Sequence, residues 1–178
     1  MIRRLAAAIG CALLVGAALG GCAGNNPIGD LPGFNEPLAT ADAKLNVTAA
    51  QAVISTYRTN NGLGPVSIDP ELMTLAGEQA RAMAQRDKLD HNVGRPFQQR
   101  IQQSSFDASV AVENIAAGYD TLAEAFSGWR ASPAHRTNML NPAVTKMGIA
   151  AVYAPKSKYK VFWSLILAKR DDQRRAER

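Results

Sequence analysis

An α+β domain is predicted by three observations. Apolar residues recur at helical spacing through most of the chain, two runs rich in β-branched and aromatic residues close it, and no strand–helix–strand alternation lies between. The closing runs, Gly148 to Tyr153 and Tyr159 to Ala168, are joined by a polar turn around Pro155 to Lys158 and read as a hairpin. The sheet is therefore antiparallel and covered by the helices that precede it.

In chain order, Arg3 and Arg4 precede an uncharged run from Leu5 to Leu19, the layout of a signal peptide. The run is shorter than the roughly 20 apolar residues that a membrane-spanning helix needs. It ends in Leu19-Gly20-Gly21-Cys22, which resembles the lipobox of bacterial lipoproteins, so residues 1–21 are expected to be removed. The resemblance implies lipid on Cys22: a diacylglycerol thioether and an amide-linked acyl chain such as palmitate, enough for stable anchoring to a cell membrane or outer membrane. Cys11 is lost with the leader and Cys22 is blocked, which leaves the mature chain without a disulfide and dependent on its core.

Residues 22–46 carry Pro27, Pro32 and Pro37 among glycines and show no periodicity, so they read as a tether. Thr48 and Gln51 form a predicted capping box for a first helix, with Ala50, Val53, Ile54 and Tyr57 on its apolar face and Asn61-Gly62 as its stop. Asp69 and Pro70 start a second helix whose face is Leu72, Leu75, Ala76, Ala80 and Met83, ending near His91. Pro96 opens a short helix with Phe97 and Ile101 one turn apart, and Ala108 to Val112 is a short extended segment. Thr121 and Glu124 make another capping box before Leu122, Ala125, Phe126 and Trp129, and Ser132-Pro133 restarts a short helix carrying His135 and Arg136. One domain over 47–168 and a charged tail over 169–178 complete the division.

Loss of Arg3 and Arg4 lowers the formal net charge from +5 to +3. The basic residues of the tail are mixed with acids, and no basic stripe with interleaved aromatics exists, which excludes a nucleic-acid partner. His91 and His135 are the two histidines, and their long separation by itself identifies no metal motif. Glu113 sits between an apolar strand and the small-residue turn Asn114 to Gly118. Two imidazoles and a carboxylate suit zinc with an open position for water, while the same carboxylate could instead hold the turn through backbone N–H groups.

Four blocks resemble the CAP superfamily, also called the SCP domain family. Leu72 to His91 is similar to its second helix ending in a histidine, and Glu113-Asn114-Ile115-Ala116-Ala117-Gly118 to its Glu-Asn-Ile/Leu-Ala signature. Trp129 to Pro142 resembles the bacterial form of its Trp-x-x-Ser-Pro-x-His-Arg block, and Phe162-Trp163 its closing strand. The resemblance implies a three-layer α/β/α sandwich in which His91, Glu113 and His135 converge in one cleft, with Asn114, Ser132 and Arg136 supporting it. It also implies that the histidines bind zinc or another divalent metal. This chain departs from the pattern at Ser132, where eukaryotic members carry a second glutamate, and at Ser164-Leu165 after the closing aromatics.

The expected function is an envelope binding module holding a metal or small ligand, lipid included, and meeting an envelope or host partner. The alternative is a metal-assisted hydrolase of peptide or envelope polymer using Glu113 and His135. Ser132 is expected to cap the helix at Pro133 and to be no nucleophile.

Overall fold

The computed structural model describes residue 29 and residues 31–171. The leader, Cys22 and the tail from residue 172 lie outside the described residues. Helix α1 spans Val47–Thr59, α2 Pro70–Arg86, α3 Phe97–Gln102, α4 Leu122–Ala131 and α5 Pro133–Met139. Strands β1 (Ser67–Ile68), β2 (Ala108–Ala117), β3 (Lys146–Tyr153) and β4 (Val161–Arg170) form one sheet in the order β1-β3-β4-β2. The β3–β4 hairpin stands as expected, and β2 pairs antiparallel with β4 from Ala108 to Ala117 with an irregularity at Ser109.

Alternation along the central strand creates the layers. Leu165 packs in a cluster with Val53 and Ile54 of α1 and Phe126 and Trp129 of α4, whereas Ile166 packs with Leu72 and Leu75 of α2 and Ile101 of α3. The sheet thus lies between two helical layers, the predicted α/β/α sandwich. Trp129 and Trp163 are core residues with rings 6.3 Å apart and nearly perpendicular. Their indole N–H groups donate to Ile115 O and Tyr119 O. Gly148 is required by close packing, because a Cβ there would lie 2.1 Å from the backbone of Leu72.

The local signals hold for α2 and α4. Asp69 accepts from the N–H groups of Glu71 and Leu72 with Pro70 in the first turn, and all five residues of the predicted α2 face are buried. Thr121 and Glu124 form their capping box. Four expectations are corrected. Helix α1 is capped by Asn46, whose side chain accepts from Ala49 N, rather than by a Thr48–Gln51 box. The tether ends earlier than Asn46: Leu38 is buried, its N–H donates to Asp120 O, and Ala123 N donates to Phe34 O. Asn114 to Ala117 continue β2 instead of turning, since β4 offers them a pairing edge. Helix α2 stops at Asp87 in the left-handed region, so His91 lies in the following loop.

Candidate functional site

Glu113 sits in the middle of β2 with a side chain only 1% exposed. Such burial requires partners for both oxygens. Arg100, the buried charged residue of the short helix α3, donates from Nη2 to Oε1 at 2.9 Å and Oε2 at 3.0 Å. The Ser164 hydroxyl of β4 lies 3.4 Å from Oε1, and His91 Nδ1 lies 2.8 Å from Oε2. Glu113 is an ion-paired acceptor, so Nδ1 of His91 carries a proton, and in the neutral ring Nε2 is then the acceptor. The His91 side chain is 46% exposed, which joins a buried carboxylate to solvent through one imidazole.

The loop holding His91 is fixed from both sides. Arg100 Nη2 donates to His91 O at 3.2 Å, and Gln79 Nε2 of α2 donates to Asp90 O at 2.8 Å. Arg100 Nη1 and Gln79 Oε1 are buried side-chain atoms without a hydrogen-bond partner among the described residues, and both residues line one cavity of about 120 Å³. Sequence reasoning missed Arg100 and Gln79. A buried charge on a helix as short as Phe97–Gln102 leaves no periodic signal.

On the other side of β2, Asn138 Nδ2 of α5 donates to Asn114 Oδ1 at 2.9 Å and Glu113 O at 3.2 Å. Asn114 Nδ2 donates to His135 O at 3.0 Å. These amides tie α5 to the strand through the carbonyl of His135, a residue outside the lining of the cleft that His91 and Glu113 share. Burial holds the His135 imidazole below its ordinary value, and the nearby charge of His91 pushes the same way. A cleft of about 350 Å³ is lined by His91, Phe97, Ala111, Val112, Glu113 and Asn138, among others.

Asn114, expected as a support of the cleft, bonds to α5 through His135 O and Asn138. Ser132 stands at the expected N-cap of α5 but makes no side-chain capping bond, and Arg136 is exposed, with Arg100 the guanidinium paired to Glu113. Glu124 serves its capping box and accepts from Asp120 N and Thr121 N. Among the described residues, no group of three or more His, Cys, Asp or Glu side chains is gathered for a metal ion. Glu113 does not fit as a metal ligand here, because its oxygens already face a buried guanidinium and an imidazole. The imidazoles of His91 and His135 are then the candidate donors.

Comparison with known proteins agrees with this architecture. A model of the CAP, or cysteine-rich secretory protein, family matches residues 51–167. Uncharacterized protein YkwD of Bacillus subtilis (strain 168) is 31% identical over 128 residues, covering 64% of this chain and 49% of YkwD. The chain therefore spans about half the length of that relative. An extracellular SCP-domain protein of Bacillus anthracis str. Ames superposes with a TM-score of 0.61 at 22% identity, over 69% of this chain and 40% of the other. An outer surface protein of Borrelia burgdorferi gives 0.62 at 22% identity, over 70% of this chain and 92% of the other. These two structural likenesses bear on the fold.

Proposed function

We propose a function for a chain that belongs to the CAP, or cysteine-rich secretory protein, family. It is an exported domain anchored by lipid on Cys22, whose cleft binds a small ligand or a divalent metal such as zinc at the envelope surface without turning over substrate. The leader and the Leu19-Gly20-Gly21-Cys22 box support export and anchoring, and two structural relatives are described as extracellular and as an outer surface protein. No helix among the described residues is long and apolar enough to cross a membrane.

The observation that carries the binding reading is the Arg100–Glu113–His91 chain. Arg100 holds Glu113, Glu113 holds Nδ1 of His91, and Nε2 is turned into the role of acceptor or ligand. His135, whose imidazole burial holds below its ordinary value, is the second imidazole of the reading. A bound divalent ion would supply Lewis acidity. Hydrolysis with Glu113 as general base has less support, because that carboxylate is tied to Arg100. Ser132 has no hydrogen bond to either histidine, so no activated nucleophile accompanies them.

Calorimetric titration of zinc into the purified protein tests the reading. Wild type is expected to bind modestly, more weakly below about pH 6, and His91→Ala and His135→Ala are each expected to lose binding while staying folded. Equal binding by all three proteins contradicts it, as does cleavage of an unbiased peptide library that disappears in Glu113→Gln. Intact mass of the cellular protein tests the anchor: an unmodified N-terminus downstream of Cys22 rules it out.

A further inference from the structure

The free edge of β3 borders a second cavity, on the α2 side of the sheet and apart from the histidine cleft. Met147 O accepts from Asp69 N, and Ile149 N donates to Met73 Sδ, so these alternate residues point their backbone groups away from β4. The same alternation turns the N–H and C=O groups of Ala151 and Tyr153 outward. Strand β1 pairs with β3 only at Lys146 and Met147 and does not reach them. Helix α2 covers the edge at Met73 and then moves inward, where Met83 packs with Phe162 of β4. Ala151 and Tyr153 are left without outward partners among the described residues.

Between α2 and this edge lies a groove of about 510 Å³, lined by Ala84, Val152, Tyr153 and Pro155 with Arg81 and Lys156 at its rim. Natural edge strands usually carry charges that block further pairing. Here no charged residue occurs from Met147 to Pro155. Neither Arg81 nor Lys156 has an ion-pair partner among the described residues, and Asp87, the acidic residue of the lining, accepts from Ser157 Oγ.

The geometry points to β3 as a docking strand for an extended acidic peptide of a partner protein. The peptide pairs with Ala151 and Tyr153, sets alternate apolar side chains in the groove and directs its carboxylates to Arg81 and Lys156. Charge favours this occupant over a second copy, whose own Arg81 and Lys156 would approach the same cations across the seam.

The test is fluorescence anisotropy with the full chain and a labelled heptapeptide alternating glutamate and valine. The peptide is expected to bind saturably and to slow amide exchange at Ala151 and Tyr153 at least tenfold. A fully N-methylated form, which has no N–H to pair, and a lysine-for-glutamate form are each expected to bind at least tenfold more weakly. Ala151→Pro removes one outward N–H and is expected to weaken binding as much. The exposed pair Arg81→Glu/Lys156→Glu gives a second arm that leaves the strand intact. Absence of saturable binding, equal binding by the N-methylated peptide, or indifference to the charge reversal overturns the proposal. Concentration-dependent dimerisation that protects Ala151 without peptide overturns it in favour of a second copy.

Discussion

Two buried arginines, at opposite ends of the functional scale, organise different regions of the domain. Arg58, 1% exposed at the end of α1, donates to four carbonyls: Gly64 O, Met139 O, Asn141 O and Val144 O, at 2.8–3.0 Å. It stitches α1 to the segment between α5 and β3, and desolvation lowers its pKa. Arg100 instead pairs with a carboxylate that reaches solvent through His91, and its Nη1 lacks a partner among the described residues. A guanidinium closed by backbone oxygens is a clamp, whereas one that holds a carboxylate against a half-exposed imidazole sets up a site.

The largest expected effect breaks the clamp. Arg58→Met strands several buried carbonyls and is expected to cost roughly 3–5 kcal/mol in urea unfolding, with zinc affinity of the folded protein unchanged. Arg100→Met leaves Glu113 buried without its cation and is expected to cost about 3 kcal/mol. Adding Glu113→Gln to that variant is expected to restore much of the loss, because the uncompensated charge is gone. Failure of the double variant to recover would make Arg100 a clamp like Arg58.

Smaller effects sharpen the contrast. His91→Ala removes a half-exposed ring and is expected to change stability by under about 1 kcal/mol. The His135 ring is held below its ordinary value, so the unfolded chain takes up that proton first as pH falls. Its contribution to stability is present above about pH 6.5 and is lost as pH drops toward the lowered native value. Chemical unfolding at pH 7.5 and pH 5 should show a greater loss in wild type than in His135→Gln.

Much of the frame was legible in the sequence because it rests on local chemistry: the Asp69-Pro70 start, the Thr121–Glu124 box and the β-branched and aromatic closing strands joined by a polar turn. The second half of β2 was not, since Asn114, Ala116 and Ala117 have weak strand preference and are held by pairing with β4. Strand β1 is two residues long, and docking of the segment around Leu38 rests on isolated contacts without a period. The resemblance singled out His91, His135 and Glu113, of which the structure joins His91 to Glu113. Arg100 and Gln79 were not, because only tertiary packing decides that a charged or amide side chain is buried.

The central claim is that Arg100 and Glu113 set the tautomer of His91 so that Nε2 faces outward as the ligand atom. Long-range proton–nitrogen NMR on histidine-labelled protein at pH 8, before and after addition of zinc, tests it most directly. The expected spectrum shows His91 protonated at Nδ1, switched or averaged in Glu113→Gln, with zinc shifting Nε2 of His91 and the ring of His135. A neutral His91 protonated at Nε2, with zinc leaving both rings unmoved, would contradict the account.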